Sequence, residues 1–191
     1  MSQSKRTNGL PAIRRYITTH DSEGKAVFSD RIPEVLDWNA VGTAEFALGY
    51  TTNEYPVDFS ADKDIGNYEA YLQKAPGIVI PGGSVLRIVD VEPGTTSPMH
   101  RTVSLDYGVV LEGEVDLVLD SGEVRPMMRG DVSIQRGTNH AWRNRSGDKP
   151  ARMLYVLQES SPLSIAGKTL GEDYGVGMVG VRPSGPSSNG H

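Results

Sequence analysis

Cysteine is missing from all 191 residues, and this absence excludes both a disulfide framework and a thiolate metal site. A basic stripe is also missing, because 19 lysines and arginines stand against 24 acidic residues with a net charge of −5. No run approaches the roughly 18 apolar residues of a membrane span, and the N-terminal stretch lacks the apolar segment of a signal peptide. We therefore expect a cytoplasmic protein that partners neither membrane nor nucleic acid.

What the sequence does contain is a series of short alternating runs, separated by glycines, from Gly77 onward. Ser84–Val91, Glu114–Leu119 and Ala151–Gln158 alternate in the manner of strands, and Asp120–Gly122 has the composition of a tight hairpin turn. Strands at regular spacing with turn signals are typical of an all-β barrel or sandwich.

We predict one domain with four parts. These parts are a flexible N-terminus (1–11), N-terminal strands and loops that pack on a barrel (12–76), the barrel (77–160), and a C-terminal extension and tail (161–191). In the second part, we predict two short strands around a turn near His20, a turn of helix begun at Pro33, and a strand over 44–52. Residues 67–72 give mixed signals and stay undecided. Leu163, Ile165 and Leu170 indicate a short helix in the extension.

Polar residues alternate inside two glycine-flanked stretches, 94–113 and 130–144. Because residues two apart in a strand share a face, His100, Thr102 and Asp106 should lie on one face. By the same rule His140 and Trp142 should lie on another. If the faces meet inside a barrel, two imidazoles and a carboxylate converge, which is an arrangement that leaves positions open on a metal.

These two stretches resemble the motifs of the cupin superfamily. The spacing of the first motif is matched by Gly94, His100, Asp106 and Gly113, and that of the second by Gly130, Gly137, His140 and Asn144. The resemblance implies a cupin-type β-barrel (a double-stranded β-helix, or jelly roll) with a metal centre, and a homodimer. The chain is also similar to small cupins that act as tailoring proteins in secondary metabolism.

The chain departs from the family pattern in both motifs. In the second motif, Arg136 stands in place of proline and one residue is missing before Gly137. In the first motif, the departures fall on two ligand positions. Thr102 stands where the first motif has its second histidine, and Asp106 stands in place of glutamate. Three ligands then remain for Fe²⁺, Mn²⁺, Zn²⁺ or Ni²⁺, namely His100, Asp106 and His140. The alternative is a metal-free pocket in which the same residues act as acid and base.

Three further residues are candidates for binding a small-molecule substrate. Trp142 shares parity with His140 and offers a flat pocket wall, whereas Thr102 would line the pocket. An inward Arg87 would bind a substrate carboxylate through two hydrogen bonds. Parity sends Arg101 and Arg143 outward.

The function we predict is that of a cupin-type lyase with His100, Asp106 and His140 as catalytic residues. It would act on a small oxygen-rich carboxylate or polyketide-like metabolite by decarboxylation, dehydration or isomerisation, all of which share an enolate-like intermediate. Two alternatives stay open, an Fe²⁺-dependent dioxygenase and a non-catalytic module that binds a small ligand.

Overall fold

A computed structural model describes residues 8–176, 178, 182 and 184 of the chain. Strands dominate, as the all-β prediction required, and the described residues contain one α-helix, α1, at Lys63–Gln73. The strands are β1 (Thr18–His20), β2 (Ala26–Phe28), β3 (Trp38–Val41), β4 (Ala44–Thr52), β5 (Ser84–Val91), β6 (Ser104–Glu112), β7 (Glu114–Leu119), β8 (Val124–Met128), β9 (Val132–Arg136), β10 (His140–Asn144), β11 (Ala151–Glu159), β12 (Leu163–Ile165) and β13 (Lys168–Leu170).

Two antiparallel sheets form the barrel. The larger has six strands in the order β3-β4-β5-β11-β6-β9, and the smaller has the order β10-β7-β8. The strands of both sheets contribute to one apolar cluster, which includes Val110 of β6, Val115 of β7 and Met153 of β11. The sheets therefore pack face to face with a shared core.

The alternating pattern of β6 decides which side chains enter the barrel. Ser104, Asp106, Gly108 and Val110 are buried, whereas the exposed Tyr107 points to the outer face. This period of two places a polar stretch inside the barrel, beside apolar residues of β11.

The N-terminal part is built into the larger sheet, since β4 pairs directly with β5 along its length. The segment that the sequence left undecided lies in α1, whose buried Ile65 and Tyr68 pack on Ile32. Tyr68 Oη donates a hydrogen bond to the carbonyl of Leu48, 2.7 Å away, which attaches the helix to β4. The helical turn predicted at Pro33 was wrong, because this stretch is irregular and buries Leu36.

The prediction of a short helix in the C-terminal extension was also wrong. β12 and β13 form a hairpin instead, with both residues of its turn, Ala166 and Gly167, at positive φ of 51° and 77°. A two-residue turn of this kind matches the twist of paired strands and stops a helix from continuing. The hairpin predicted at Asp120–Gly122 is confirmed, with Gly122 at φ 86°.

The described part of 1–11 is residues 8–11, so the predicted flexibility of 1–7 lies outside the described residues. The same holds for the tail at 177, 179–181, 183 and 185–191. Within the described part of the chain, no helix is long and apolar enough to cross a membrane.

Candidate functional site

A cavity of about 700 Å³, including the space at its open mouth, lies between the two sheets. All six residues that the sequence singled out line it: His100, Asp106, His140, Arg87, Thr102 and Trp142. Much of the remaining wall is apolar and includes Phe46, Ile78, Val89 and Leu157. A mostly apolar wall with a few convergent polar side chains is typical of a site for a small molecule.

The two histidines are paired at the level of the backbone. The segment before β6 runs antiparallel to β10, so that His100 N donates to His140 O at 2.8 Å and His140 N donates to His100 O at 2.9 Å. Their rings follow the backbone and lie with centroids 4.3 Å apart. The rings of Trp142 and His140 are in edge contact, with their centroids 5.6 Å apart.

Each imidazole is held in one orientation by its own chain. His100 Nδ1 lies 2.9 Å from the carbonyl oxygen of Pro98, and His140 Nδ1 lies 2.9 Å from that of Thr138. A carbonyl only accepts hydrogen bonds, so Nδ1 carries the proton and Nε2 keeps its lone pair in the neutral ring.

The cavity keeps both rings neutral. Burial lowers the pKa of His140 to about 4, and the neighbouring His100 lowers it further because two adjacent imidazolium ions would repel. Burial also lowers the pKa of His100, although its bond to Pro98 acts in the opposite direction. At neutral pH the pair therefore presents two hydrogen-bond acceptors to a ligand.

Asp106 is the titratable carboxyl of the cavity. Its Oδ2 accepts a bond of 3.3 Å from Thr102 Oγ1, which in turn accepts one of 2.7 Å from Ser104 Oγ. Its Oδ1 is buried without a hydrogen-bond partner among the described residues. Burial raises the pKa of Asp106 to about 6, against the opposing effect of the Ser104 and Thr102 hydroxyls. A carboxyl with one free oxygen and a pKa near neutrality can both take up and release a proton.

The route by which these residues meet differs from the parity expectation. His100 and Asp106 do not share one strand face, because β6 begins only at Ser104 and the chain bends at Val103. His100 instead joins the smaller sheet through β10, while Asp106 lies on the larger sheet. The two face one cavity from opposite sheets.

The donor atoms are of the kind that a divalent metal binds, namely two free imidazole nitrogens and one unpartnered carboxylate oxygen. Their arrangement is a different matter. Among the residues that the structure describes, no group of three or more histidine, cysteine, aspartate or glutamate side chains is placed to hold a metal ion. The three-ligand centre therefore stays a prediction.

Arg87 enters from β5. Its Nη2 donates to the carbonyl of Gly77 at 2.5 Å, its Cζ lies 5.8 Å from the ring centroid of Phe46, and its Nε is buried without a partner among the described residues. Burial lowers the pKa of Arg87 to about 10. The guanidinium faces the cavity as a cation with unused donor capacity.

Several lining residues were missed by sequence reasoning. Tyr155 lies on β11, and burial together with the nearby Asp106 holds the pKa of its phenol well above the usual value. Met178 reaches the cavity from the C-terminal segment, and Phe46 reaches it from β4. The alternation of β4 and β11 is a signal that could have indicated Phe46 and Tyr155, but only the three-dimensional pairing shows that they reach this cavity.

Arg101 and Arg143 face away from the cavity, as parity predicts, and so does Tyr107, which follows Asp106 on β6. Tyr107 is 39% exposed on the outer face, and Arg143 pairs with Asp116 at 2.6 Å. Arg101 donates to the carbonyl of Gly171, outside the cavity. Asn144 binds the carbonyls of Val91, Glu92 and Lys149 and thereby holds the turn after β10.

Comparison with known proteins fits this architecture. A family model described as a cupin domain matches residues 87–157. The chain is 52% identical to phomopsin biosynthesis cluster protein D of Diaporthe leptostromiformis, over 96% of this chain and 98% of that protein. It is 42% identical to the cupin-domain-containing oxidoreductase fogC of Aspergillus ruber, over 87% of this chain and 85% of that protein. A solved cupin-2 domain, Rru_A2000 from Rhodospirillum rubrum, aligns with a TM-score of 0.46 and 14% identity over 72% of this chain and 80% of that one. On the cupin-domain match over residues 87–157 and the identity with the Aspergillus ruber cupin-domain protein over most of both chains, the chain belongs to the cupin family.

Proposed function

We propose that the protein is a lyase-type enzyme that moves a proton at the carbon beside a carbonyl group of a small carboxylic acid. Loss of water, loss of CO₂ and isomerisation all pass through an enolate, and all three remain within the proposal. The observation that carries it is Asp106, a buried carboxyl with a pKa near 6 and a free oxygen, in the same cavity as two neutral imidazoles.

Asp106 is suited to the proton transfer itself. In its ionised form, the free Oδ1 would take the proton from the carbon beside the carbonyl. In its protonated form it would return that proton, either to a departing hydroxyl, with net loss of water, or to another carbon, with net isomerisation. In loss of CO₂ the C–C bond to the carboxylate breaks instead, and protonated Asp106 would give its proton to the carbon that carried the carboxylate. A base with a pKa near the working pH is the efficient choice for such a cycle, and the enhancement from one group is about 10²–10⁴-fold.

The histidine pair would orient the substrate. Because both Nε2 atoms accept hydrogen bonds at neutral pH, they suit the hydroxyl groups of an enol or of a β-hydroxy acid. Arg87 would bind the acid group, since a guanidinium with free donors pairs with a carboxylate through two bonds. The apolar wall formed by Phe46 and Leu157 would exclude water from the enolate.

A second candidate is an oxidoreductase. What favours it is the name of the Aspergillus ruber relative, a cupin-domain-containing oxidoreductase at 42% identity. An oxidation would remove two hydrogens from the substrate and deliver the electrons to a separate acceptor. The two candidates therefore differ in whether the substrate loses two hydrogens, and one experiment can distinguish them.

The experiment incubates the protein with a panel of β-hydroxy, β-keto and α,β-unsaturated carboxylic acids in D₂O. Proton NMR follows exchange at the carbon beside the carbonyl, and mass spectrometry follows the product. The lyase proposal expects deuterium uptake with loss of water or CO₂, or with no change in composition, at the same rate with and without oxygen. Loss of two hydrogens that depends on oxygen or on another acceptor would support the oxidoreductase instead.

The matched variants are Asp106→Asn and Asp120→Asn. The first removes the base while keeping the shape of the side chain, so exchange should fall by about 100-fold or more. The second changes an exposed carboxyl in the β7–β8 turn and should leave exchange unchanged. Exchange that survives in Asp106→Asn would contradict the assignment of Asp106 as the base.

A further inference from the structure

A further cavity is lined by residues of β3 and β4 together with Arg87 of β5, and we call it the rear cavity. Its described lining contains two arginines, Arg87 and Arg182, and the polar Asn39. Most of the other described lining residues are apolar, among them Leu48 and Pro76, and none is acidic.

Arg87 and Phe46 line both cavities, so the two meet at these side chains. The guanidinium of Arg87 is near the Phe46 ring, with Cζ 5.8 Å from the ring centroid, and this contact does not use its N–H donors. One donor binds the Gly77 carbonyl, and the buried Nε has no partner among the described residues. A buried donor left unpaired in the free protein is costly and becomes satisfied when a ligand accepts its hydrogen bond.

Arg182, which is exposed, adds a second positive charge to the same lining from the C-terminal segment. Two arginines, without a carboxylate among the described lining residues, make this lining positively charged and favour the binding of oxyanions. The apolar remainder of the lining would weaken the screening by water and strengthen such an attraction.

We infer that the rear cavity is an oxyanion subsite, in which Arg87 and Arg182 together hold an acid group of a ligand whose apolar body lies in the main cavity. The ligand class is a small amphiphilic acid, carrying either a carboxylate or a phosphate ester at one end. Arg182 thereby becomes a specificity-determining residue. The inference rests on the proposed function only in taking this ligand to be the substrate.

Calorimetric titration of the full chain tests the subsite without any turnover. The probes are malonate and inorganic phosphate at constant ionic strength, with malonamide as the uncharged analogue of malonate. We expect saturable binding of at least one anion and no binding of malonamide. Tighter binding of malonate would indicate a carboxylate ligand and tighter binding of phosphate a phosphate ester, and either result supports the subsite.

The variants assign the binding to the two arginines. Arg182→Gln should weaken the binding by about tenfold or more, as expected for losing a charge-assisted hydrogen bond. Arg125→Gln, which changes an exposed arginine on β8, should bind the anion as the unmodified protein does. Arg87→Gln should abolish the binding, and if that variant fails to fold, Arg182→Gln alone decides the question.

Failure of this inference is distinct from failure of the proposed function. Absence of saturable binding for both anions, or unchanged binding in Arg182→Gln, would overturn the subsite whatever the protein catalyses. Anion binding that depends on Arg182, in a protein that exchanges no proton in D₂O, would support the subsite and contradict the lyase.

Discussion

The backbones of His100 and His140 are hydrogen-bonded to each other in both directions, at 2.8 and 2.9 Å. The two histidines are forty positions apart in the sequence, and this pair joins the segment before β6 to β10. The same two bonds place the rings 4.3 Å apart and fix the spacing of the two cavity acceptors. The site is thus positioned by main-chain pairing, which side-chain substitutions leave in place.

The free energy of unfolding should depend on pH because of Asp106. Burial raises its pKa from 3.8 to about 6, so its contribution to stability is complete below pH 4 and is lost as the pH rises through 6. Asp106→Asn should therefore be more stable than the unmodified protein at pH 7.5, by up to roughly 3 kcal/mol, and this gain should disappear near pH 4. Urea unfolding at the two pH values measures it. An equal effect at both would contradict the raised pKa.

His140 should give the free energy of unfolding the opposite dependence on pH. Burial lowers its pKa from 6.5 to about 4, so its contribution is complete above pH 6.5 and is lost as the pH falls through 4. Because Asp106 opposes this trend, the effect is clearest in the Asp106→Asn background. In that background, the free energy of unfolding should fall by roughly 3 kcal/mol between pH 6.5 and 4, and adding His140→Asn should remove this fall. The amide of the asparagine can still donate to Thr138 O. Adding His20→Asn, a change at an exposed histidine, should leave the fall in place.

Gly83, just before β5, should tolerate no side chain. A Cβ built there would lie 1.9 Å from the carbonyl oxygen of Thr52 and 2.8 Å from the Cα of Asn53, both of which are backbone atoms. We expect Gly83→Ala to destabilise the fold by about 3 kcal/mol, at the upper end of the range for overpacking. Gly147→Ala, where nothing lies within 4 Å, is the matched control. A similar melting temperature for both variants would contradict the predicted clash.

Metal analysis decides between the two forms of the site that the sequence left open. A three-ligand centre requires about one equivalent of Fe, Mn, Zn or Ni per chain, retained through dialysis and lost in His100→Ala. An acid–base pocket requires full activity after chelation and dialysis. Loss of activity on chelation, with recovery on adding one of these metals, would contradict the metal-free mechanism.

We propose that the outer face of the larger sheet associates with a second copy of the chain. β9 is one of the two edge strands of that sheet, and its Val132 and Ile134 are 59% and 52% exposed beside Tyr107 of β6. Apolar side chains that adjoin one another on an exposed face favour association through that face. Ile134→Lys should convert a dimer to a monomer in light scattering, whereas Leu163→Lys, at an exposed leucine on β12, should not. A monomer at all concentrations of the unmodified protein would overturn the proposal.

The strands and the histidine sites could be predicted because their signals are local. Ser84–Val91 and Ala151–Glu159 alternate clearly, and the glycine spacing around His100 and His140 is carried by the chain itself. All six site candidates line one cavity, but the spacing did not give the way they meet, because His100 joins β10 and not β6 and Arg87 lies on β5, outside both motifs.

The remainder depended on contacts between distant segments. The helix Lys63–Gln73 was undecided because Gly66 and aromatic residues weaken its local signal, while its stability comes from burying Ile65 and Tyr68. Similarly, the hairpin after β11 contains apolar residues at helix-like spacing, and only its turn geometry excludes the helix. Met178 and Arg182 lie far along the chain from both motifs, so no spacing rule could place them at the cavities.

The edge contact between Trp142 and His140 gives the site its own optical reporter. The chain has two tryptophans, and the guanidinium of Arg152 lies over the ring of the other one, Trp38. In a Trp38→Phe protein the fluorescence would come from Trp142 alone. Protonation of the adjacent imidazole would quench that emission, and a ligand that displaces water from the cavity would shift it to the blue. Occupancy of the cavity could then be followed in real time, before any substrate is known.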